Sequence, residues 1–316
     1  MADRRDGAPL SDACVSATER IDCDDVAGQW YAGLGSDQSP GVVVLHGSGG
    51  PGGYEREYAR LLSEHGYATC CVEYFDAPGT PAALDRVPLD IVECAIEWLR
   101  ERPGVAEDRV GLVGFSRGGE AALLTGVRAD AVGAVVAYSA SGYAFPAPTW
   151  MDGVDEERAA WIADDEPVPY IPVDRHVEHE QNALADDLDL DEPISTRAVE
   201  RADPDTRRRA EIPVERIDGP VLFVTGGEDA IWPAPALADV AIDRLDAHDH
   251  PWPYENRVYP DAGHAIRVPY QFDGSDDPTA DHRLGGTLGA NARASADAWL
   301  ATLECLDRGL RTRAID

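Results

Sequence analysis

The stretch VGLVGFSRGGEAALL, residues 110–124, decides the fold. Its first half is a short apolar run of the kind that suits a strand buried on both faces, and its second half reads as a helix. Between them Gly114, Phe115, Ser116, Arg117 and Gly118 match GxSxG. A serine at such a junction sits on a strained, sharp turn. Glycines are needed two positions before and two after it, because side chains there would meet the neighbouring strand and helix. The helix that begins at this point turns its free N–H groups toward any oxyanion formed on a substrate. The pattern predicts Ser116 as a nucleophile, against the alternative of a chance GxSxG in a chain with 30 glycines.

Working outward, the same alternation repeats. Residues 19–35 suit a strand pair, and GVVVLHGSGGPGG (41–53) is an apolar run broken by glycines. YEREYARLLSEHG (54–66) has apolar residues at helical spacing and ends in Gly66, as a helix C-terminus prefers. YATCCVEYF (67–75) predicts a strand with Asp76 at its end, and LDIVECAIEWLRERPG (89–104) a helix stopped by Pro103 and Gly104. AVGAVVAYSAS (131–141) and GPVLFVTGGED (219–229) predict strands. PALADVAIDRLDAH (235–248) predicts a helix, ENRVYPDAGH (255–264) a strand and loop, and NARASADAWLATLECL (291–306) a final helix. Strands alternating with helices at this spacing mean βαβ units in a doubly wound, mainly parallel sheet with helices on both faces. From about 142 to 215 the rhythm fails, in a stretch rich in Pro, Asp, Glu and Arg with Trp150, Trp161 and Tyr170 among them. An irregular insertion in a regular sheet is expected to be a lid over a site.

An activated serine needs a base, and the base an orienting carboxylate. On this architecture the expected order is serine, acid, histidine. VLFVTGGEDAIWP puts Asp229 in the loop leaving one buried strand, and VYPDAGHAI puts His264 in the loop leaving the next. Both therefore fall at carboxyl ends of strands, where such sheets gather their catalytic groups. Glu228 is the neighbouring alternative to Asp229. His248, His250 and His282 are expected to be solvated, and His176 and His179 with Glu178 or Glu180 lack an evident third ligand, so no metal is predicted. The loop HGSGGPGG (46–53) supplies N–H groups of Ser48 or Gly49 that could join that of Arg117 as an oxyanion hole. Gly47, Gly49 and Gly52 with Asp76 also outline a dinucleotide fingerprint. Against that reading, Pro51 removes a donor from the loop, and a nucleotide would leave Ser116, Asp229 and His264 without a task. No cofactor is predicted.

The charge narrows the partners. Against 59 acidic residues stand 27 basic ones, all arginine, for a net charge of −32. Such a surface repels nucleic acid and anionic membranes. Spread along the whole chain, it suits concentrated salt, where the Debye length falls to about 3 Å at 1 M and self-repulsion is screened. No apolar run approaches the roughly 18 residues of a membrane span. The six cysteines (Cys14, Cys23, Cys70, Cys71, Cys94, Cys305) show no CxxC pair, and the start MADRRDGAPLSDAC is polar. Reduced thiols in the cytoplasm are expected.

Five blocks stand in order, HGSGGPGGYEREYARLLSEHGYAT, VGFSRGGEAAL, IPVERIDGPVLFVTGGEDAIWP, YPDAGHAIRVPY and GGTLGANARASADAW, spanning about 40 to 305. Together they resemble the acyl-CoA thioesterases grouped with the bile acid-CoA:amino acid N-acyltransferases, within the α/β-hydrolase superfamily. The resemblance implies an α/β-hydrolase domain over 13–316 after a polar arm, 1–12, and a nucleophile, acid and base at Ser116, Asp229 and His264. Some members carry cysteine as the nucleophile, so the serine is more similar to the hydrolytic branch. Animal members have a β-sandwich domain before the hydrolase domain, and about 40 residues precede the first block here.

The expected reaction is attack of Ser116 on an acyl thioester or ester, through an acyl-enzyme that water releases. If the substrate carries CoA, Arg207, Arg208 and Arg209 are candidates for its phosphates, since guanidinium groups pair bidentately with phosphate. Trp232 and Tyr270, each just beyond a triad residue, are candidates for an acyl pocket. The rival functions are a carboxylesterase or dienelactone-hydrolase-like esterase, an N-acyltransferase in which an amine replaces water, and a non-catalytic binding protein on the same fold.

Overall fold

The structure, a computed structural model, describes residues 18–21, 26–35, 38–154, 156–173, 194–269 and 284–311. Eight strands form one sheet in the order β1-β2-β4-β3-β6-β7-β10-β11. They are β1 (Thr18–Arg20), β2 (Gly28–Tyr31), β3 (Ser39–Leu45), β4 (Ala68–Val72), β6 (Val105–Phe115), β7 (Val132–Tyr138), β10 (Val221–Gly226) and β11 (Tyr254–Tyr259). β1, β2 and β4 pair antiparallel, and every pairing from β4 to β11 is parallel.

β3, β4, β7 and β10 are buried at every position, and β6 is from Val110 onward, because both faces of the sheet are covered there, whereas the edge strand β11 (YENRVY) is partly exposed along its length. Alternate residues of one strand go to opposite cores. Val43 and Leu45 of β3, with Leu112 of β6 and Val135 of β7, pack into one cluster. Val42 and Val44, with Val113 and Val136, pack into the other. Helix α2 (Asp90–Arg100) buries Val92, Ala95, Ile96 and Leu99, one face at helical spacing, in the first cluster. Helix α1 (Tyr54–Glu64) and the last helix, α7 (Leu288–Leu310), cover the second face with Tyr58, Leu62, Ala294, Ala298 and Trp299. Helix α3 (Arg117–Arg128) follows β6, and α6 (Ala234–Ala247) lies between β10 and β11.

Three expectations change. The strand predicted over 67–75 ends at Val72, so Asp76 stands beyond it in a turn, with φ 54° and its N–H on the Pro81 carbonyl. The described residues of the stretch 142–215 are less irregular than its composition suggests. β8 (Trp161–Ala163) pairs with β9 (Glu166–Pro167) and with β5 (Val87–Pro88), and α4 (Ile194–Arg201), α5 (Pro204–Ala210) and a 3-10 turn (Val214–Arg216) follow. Strands of two or three residues carry too few side chains to show a period. His250, expected in solvent, is buried. Asp249 turns the chain at φ 47°, and His250 Nε2 bonds the Gly219 carbonyl at 3.1 Å. Cys70, Cys71 and Cys305 are buried free thiols, and burial raises each above the ordinary thiol range. Among the described residues no helix is long and apolar enough to cross a membrane.

Candidate active site

Ser116 links β6 to α3 at φ 54° and ψ −118°, a backbone conformation non-glycine residues rarely adopt. Such a residue stores about 1–3 kcal/mol of strain and persists only where its surroundings over-determine it. Here they do. Its N–H donates to the Tyr138 carbonyl at 2.7 Å, and its own carbonyl accepts from Gly119 at 2.9 Å and Glu120 at 3.2 Å. The flanking glycines are required by space, since a methyl on Gly114 would overlap the Gly118 carbonyl and one on Gly118 the His46 carbonyl. Ser116 is half-buried while the residues on both sides of it are buried. The N–H of Arg117, first in its helix, has no acceptor among the described residues.

The loop after β3 lies against this turn, and a methyl built on Gly47 would stand 3.4 Å from Ser116 Cβ. The loop is clamped from several sides. Gly47 donates its N–H to the Tyr54 hydroxyl at 3.0 Å, its carbonyl accepts from Gly50 at 3.2 Å and from His46 Nδ1 at 2.9 Å, and Tyr74 donates to the His46 carbonyl at 2.6 Å. His46 is fully buried, stacked on Tyr74 with centroids 4.1 Å apart, and burial lowers its pKa to about 4. It is therefore neutral near pH 7, with its proton on Nδ1 to meet the carbonyl. The N–H groups of Ser48, half-buried, and Gly49, exposed, are left without acceptors among the described residues.

Asp229, after β10, and His264, after β11, meet through Oδ2 and Nδ1 at 2.7 Å. Their side chains are 1% and 8% exposed. The other carboxylate oxygen of Asp229 accepts from the N–H groups of Ile231 at 2.9 Å and Trp232 at 3.2 Å, so it is held from both sides. Glu228 is exposed and gives only its backbone N–H, to the Ala262 carbonyl. The end of β7 ties this pair to the serine turn: Tyr138 takes the Ser116 N–H, and the next residue, Ser139, donates its hydroxyl to the His264 carbonyl at 3.2 Å. Ser116 Oγ and His264 are not hydrogen-bonded to each other. Contacts of this kind are often long before substrate arrives.

Trp232 is buried, donates Nε1 to the Ser139 carbonyl at 2.9 Å and stands edge-on to His264 with centroids 6.2 Å apart. Arg207, Arg208 and Arg209 end α5; Arg208 is ion-paired with Asp205, Arg209 bonds the Thr206 hydroxyl, and Arg207 is half-buried. Tyr270, His176, His179 and His282 lie outside the described residues, among which no group of three metal-ligating side chains occurs.

Sequence reasoning missed the residues that brace these loops. His264 donates its N–H to the Leu284 carbonyl at 2.7 Å, Gly263 donates to Asn291 Oδ1 at 2.7 Å, and Asp229 bridges Gly285. Gly285, at φ 74°, admits no side chain because it would overlap the Glu228 carbonyl. The block GGTLGAN (285–291) was the only sign of them. His46 and Glu120, both fully buried, carry no sequence signal beyond their place beside the glycines.

Sheet order, serine turn and strand-end loops together define an α/β hydrolase. Similar solved structures agree on the fold: an acylaminoacyl peptidase of Pyrococcus horikoshii (TM-score 0.56, 16% identity, 94% of this chain and 41% of that one) and the α/β hydrolase GrgF of Penicillium sp. sh18 (TM-score 0.54, 14%, 94% and 99%). Within that class, the chain belongs to the family described as BAAT / acyl-CoA thioester hydrolase C terminal, whose profile matches residues 87–312. Relatives include the mouse peroxisomal succinyl-coenzyme A thioesterase, 28% identical over 272 residues, and the human mitochondrial acyl-coenzyme A thioesterase 2, 29% identical over 272 residues. The match covers 84% and 82% of this chain but only 59% and 50% of those relatives.

Proposed function

We propose that the chain is a serine hydrolase of acyl thioesters, with acyl-CoA as its substrate class. The observation that carries this is the 2.7 Å bond between Asp229 and His264, on loops tied to the Ser116 turn, in a chain of this family. With Nδ1–H given to Asp229, His264 keeps Nε2 free to take the Ser116 hydroxyl proton. Oγ attacks the thioester carbonyl carbon, and the N–H groups of Arg117 and of Ser48 or Gly49 hold the oxyanion. Collapse expels the thiolate, which takes the proton held by His264 and leaves as a thiol of pKa near 8.5 that needs little acid help. Water then gives a proton to the neutral His264 and attacks the acyl-serine, and collapse returns that proton to Ser116 Oγ as the acid is released.

In this reading the described part of the 142–215 segment is a lid, Trp232 borders the acyl group, and Arg207, Arg208 and Arg209 meet the CoA phosphates. Salt adaptation and a reducing cytoplasm are supported by the −32 charge and the buried thiols. The test compares wild type with Ser116→Ala in molar salt, on acyl-CoAs, p-nitrophenyl esters and a fluorophosphonate probe. Thiol release and labelling by wild type alone support the proposal. Equal rates in both proteins, or turnover of simple esters with acyl-CoA ignored, refute it. Amide product in the presence of glycine or taurine would move the assignment to acyl transfer.

A further inference from the structure

Helix α3 carries a buried ion pair one turn beyond Ser116. Glu120 is fully buried, and its Oε2 lies 3.3 Å from Arg117 Nε. Its Oε1 accepts from Trp161 Nε1 at 2.6 Å and from the Phe145 N–H at 3.2 Å. Arg117 Nη2 in turn donates to the Phe145 carbonyl at 2.7 Å. Both main-chain polar groups of Phe145 are thus held by one helical turn. The Phe145 ring packs on Trp232 at 5.6 Å, and the Trp232 ring packs on His264 while the Trp232 backbone N–H donates to Asp229 Oδ1.

We propose that Arg117 and Glu120 are positioning residues for His264, acting through Phe145 and Trp232. The inference rests on reading His264 as the base. A buried ion pair is a poor device for stability, since apolar residues of similar volume often serve as well or better. It does fix geometry, because each charge demands its partners at set distances. Burial raises the Glu120 carboxyl to about 6, against the opposing pull of Arg117 and the Trp161 and Phe145 donors. The titratable groups facing it are Arg117 on its own helix and Tyr74 from beyond β4; Tyr74 is held neutral by burial, and β8 presents only the Trp161 indole. Near pH 7 Glu120 is therefore charged and holds Arg117. Below about pH 6 it takes up a proton and that hold weakens.

The experiment uses the full chain and three variants, Glu120→Gln, Glu120→Asp and Phe145→Leu, with the rate of fluorophosphonate labelling and the pH dependence of kcat and KM on an acyl-CoA. Glu120→Gln is expected to label and turn over about 10- to 100-fold more slowly, the scale of a misplaced catalytic group, with KM within about twofold. The acid limb of its kcat profile loses the component near pH 6, and Glu120→Asp restores it. Phe145→Leu, which keeps the ion pair and cuts the contact to Trp232, reproduces the kcat loss and decides the matter should Glu120→Gln fail to fold. Wild-type labelling rates in a folded Phe145→Leu, or losses confined to KM, overturn the inference while leaving the serine mechanism intact. An unlabelled wild type overturns both.

Discussion

The α-carbon of Gly118 faces the carbonyl of His46 so closely that a methyl group there would overlap the oxygen. The first turn of α3 and the end of β3 therefore touch as backbone on backbone. That contact presses the 46–53 loop against Ser116. It makes the second glycine of GxSxG a structural requirement of the site, separate from any role in chemistry.

Gly118→Ala should consequently cost about 3 kcal/mol, the upper end for overpacking, because neither backbone can yield freely. Gly49→Ala meets nothing within 4 Å and should stay within about 0.5 kcal/mol of wild type. Urea unfolding midpoints of the two variants check this. Equal midpoints would show that the helix and strand separate more easily than their packing implies.

Asp229→Asn should lower kcat by about 10³- to 10⁴-fold, because an amide that turns its NH₂ to His264 forces the wrong tautomer. Glu228→Gln, at an exposed side chain, should leave kcat unchanged. Steady-state kinetics on an acyl-CoA separate the two acids, and a large loss in Glu228→Gln would reverse their assignment.

Acid stability should depend on His46. Its folded pKa, about 4, lies below the ordinary 6.5, so between those values the unfolded chain binds a proton that the folded one does not. Stability is therefore lost as pH falls from about 6.5 to 4, by roughly 3 kcal/mol for this group. Glu120 works in the opposite sense over about 6 to 4.5, since its folded pKa is raised. Denaturant unfolding at pH 7 and pH 5 should show a smaller loss in His46→Asn than in wild type. An identical loss would mean that His46 does not contribute.

Thermal stability should rise with salt. With a net charge of −32, raising ionic strength from about 0.1 to 1 M shortens the Debye length from about 10 to 3 Å and removes most of the surface repulsion. A gain of about 3 kcal/mol corresponds, in a chain of 316 residues, to a Tm increase of about 5 °C. A Tm that stays flat between 0.1 and 2 M KCl would remove the case for salt adaptation.

The parallel sheet and the serine turn are readable from the residues alone, because both are local. A buried strand between two helical layers must be apolar at every position, as Val42 to Leu45 are, and a strand-to-helix turn of this sharpness admits only glycine at 114 and 118. Asp229 was legible for a related reason, since it closely follows the end of the apolar run of β10, whereas β11 (YENRVY) has no such run and His264 was placed by the expected order of serine, acid and histidine. Tertiary structure decided what holds them. His46, Glu120 and His250 are polar residues whose burial depends on partners far along the chain, and the three-residue β8 pairs with β5, more than 70 residues earlier in the chain. Burial of a charge and pairing of a short strand are set by what arrives from elsewhere. No local spacing records them.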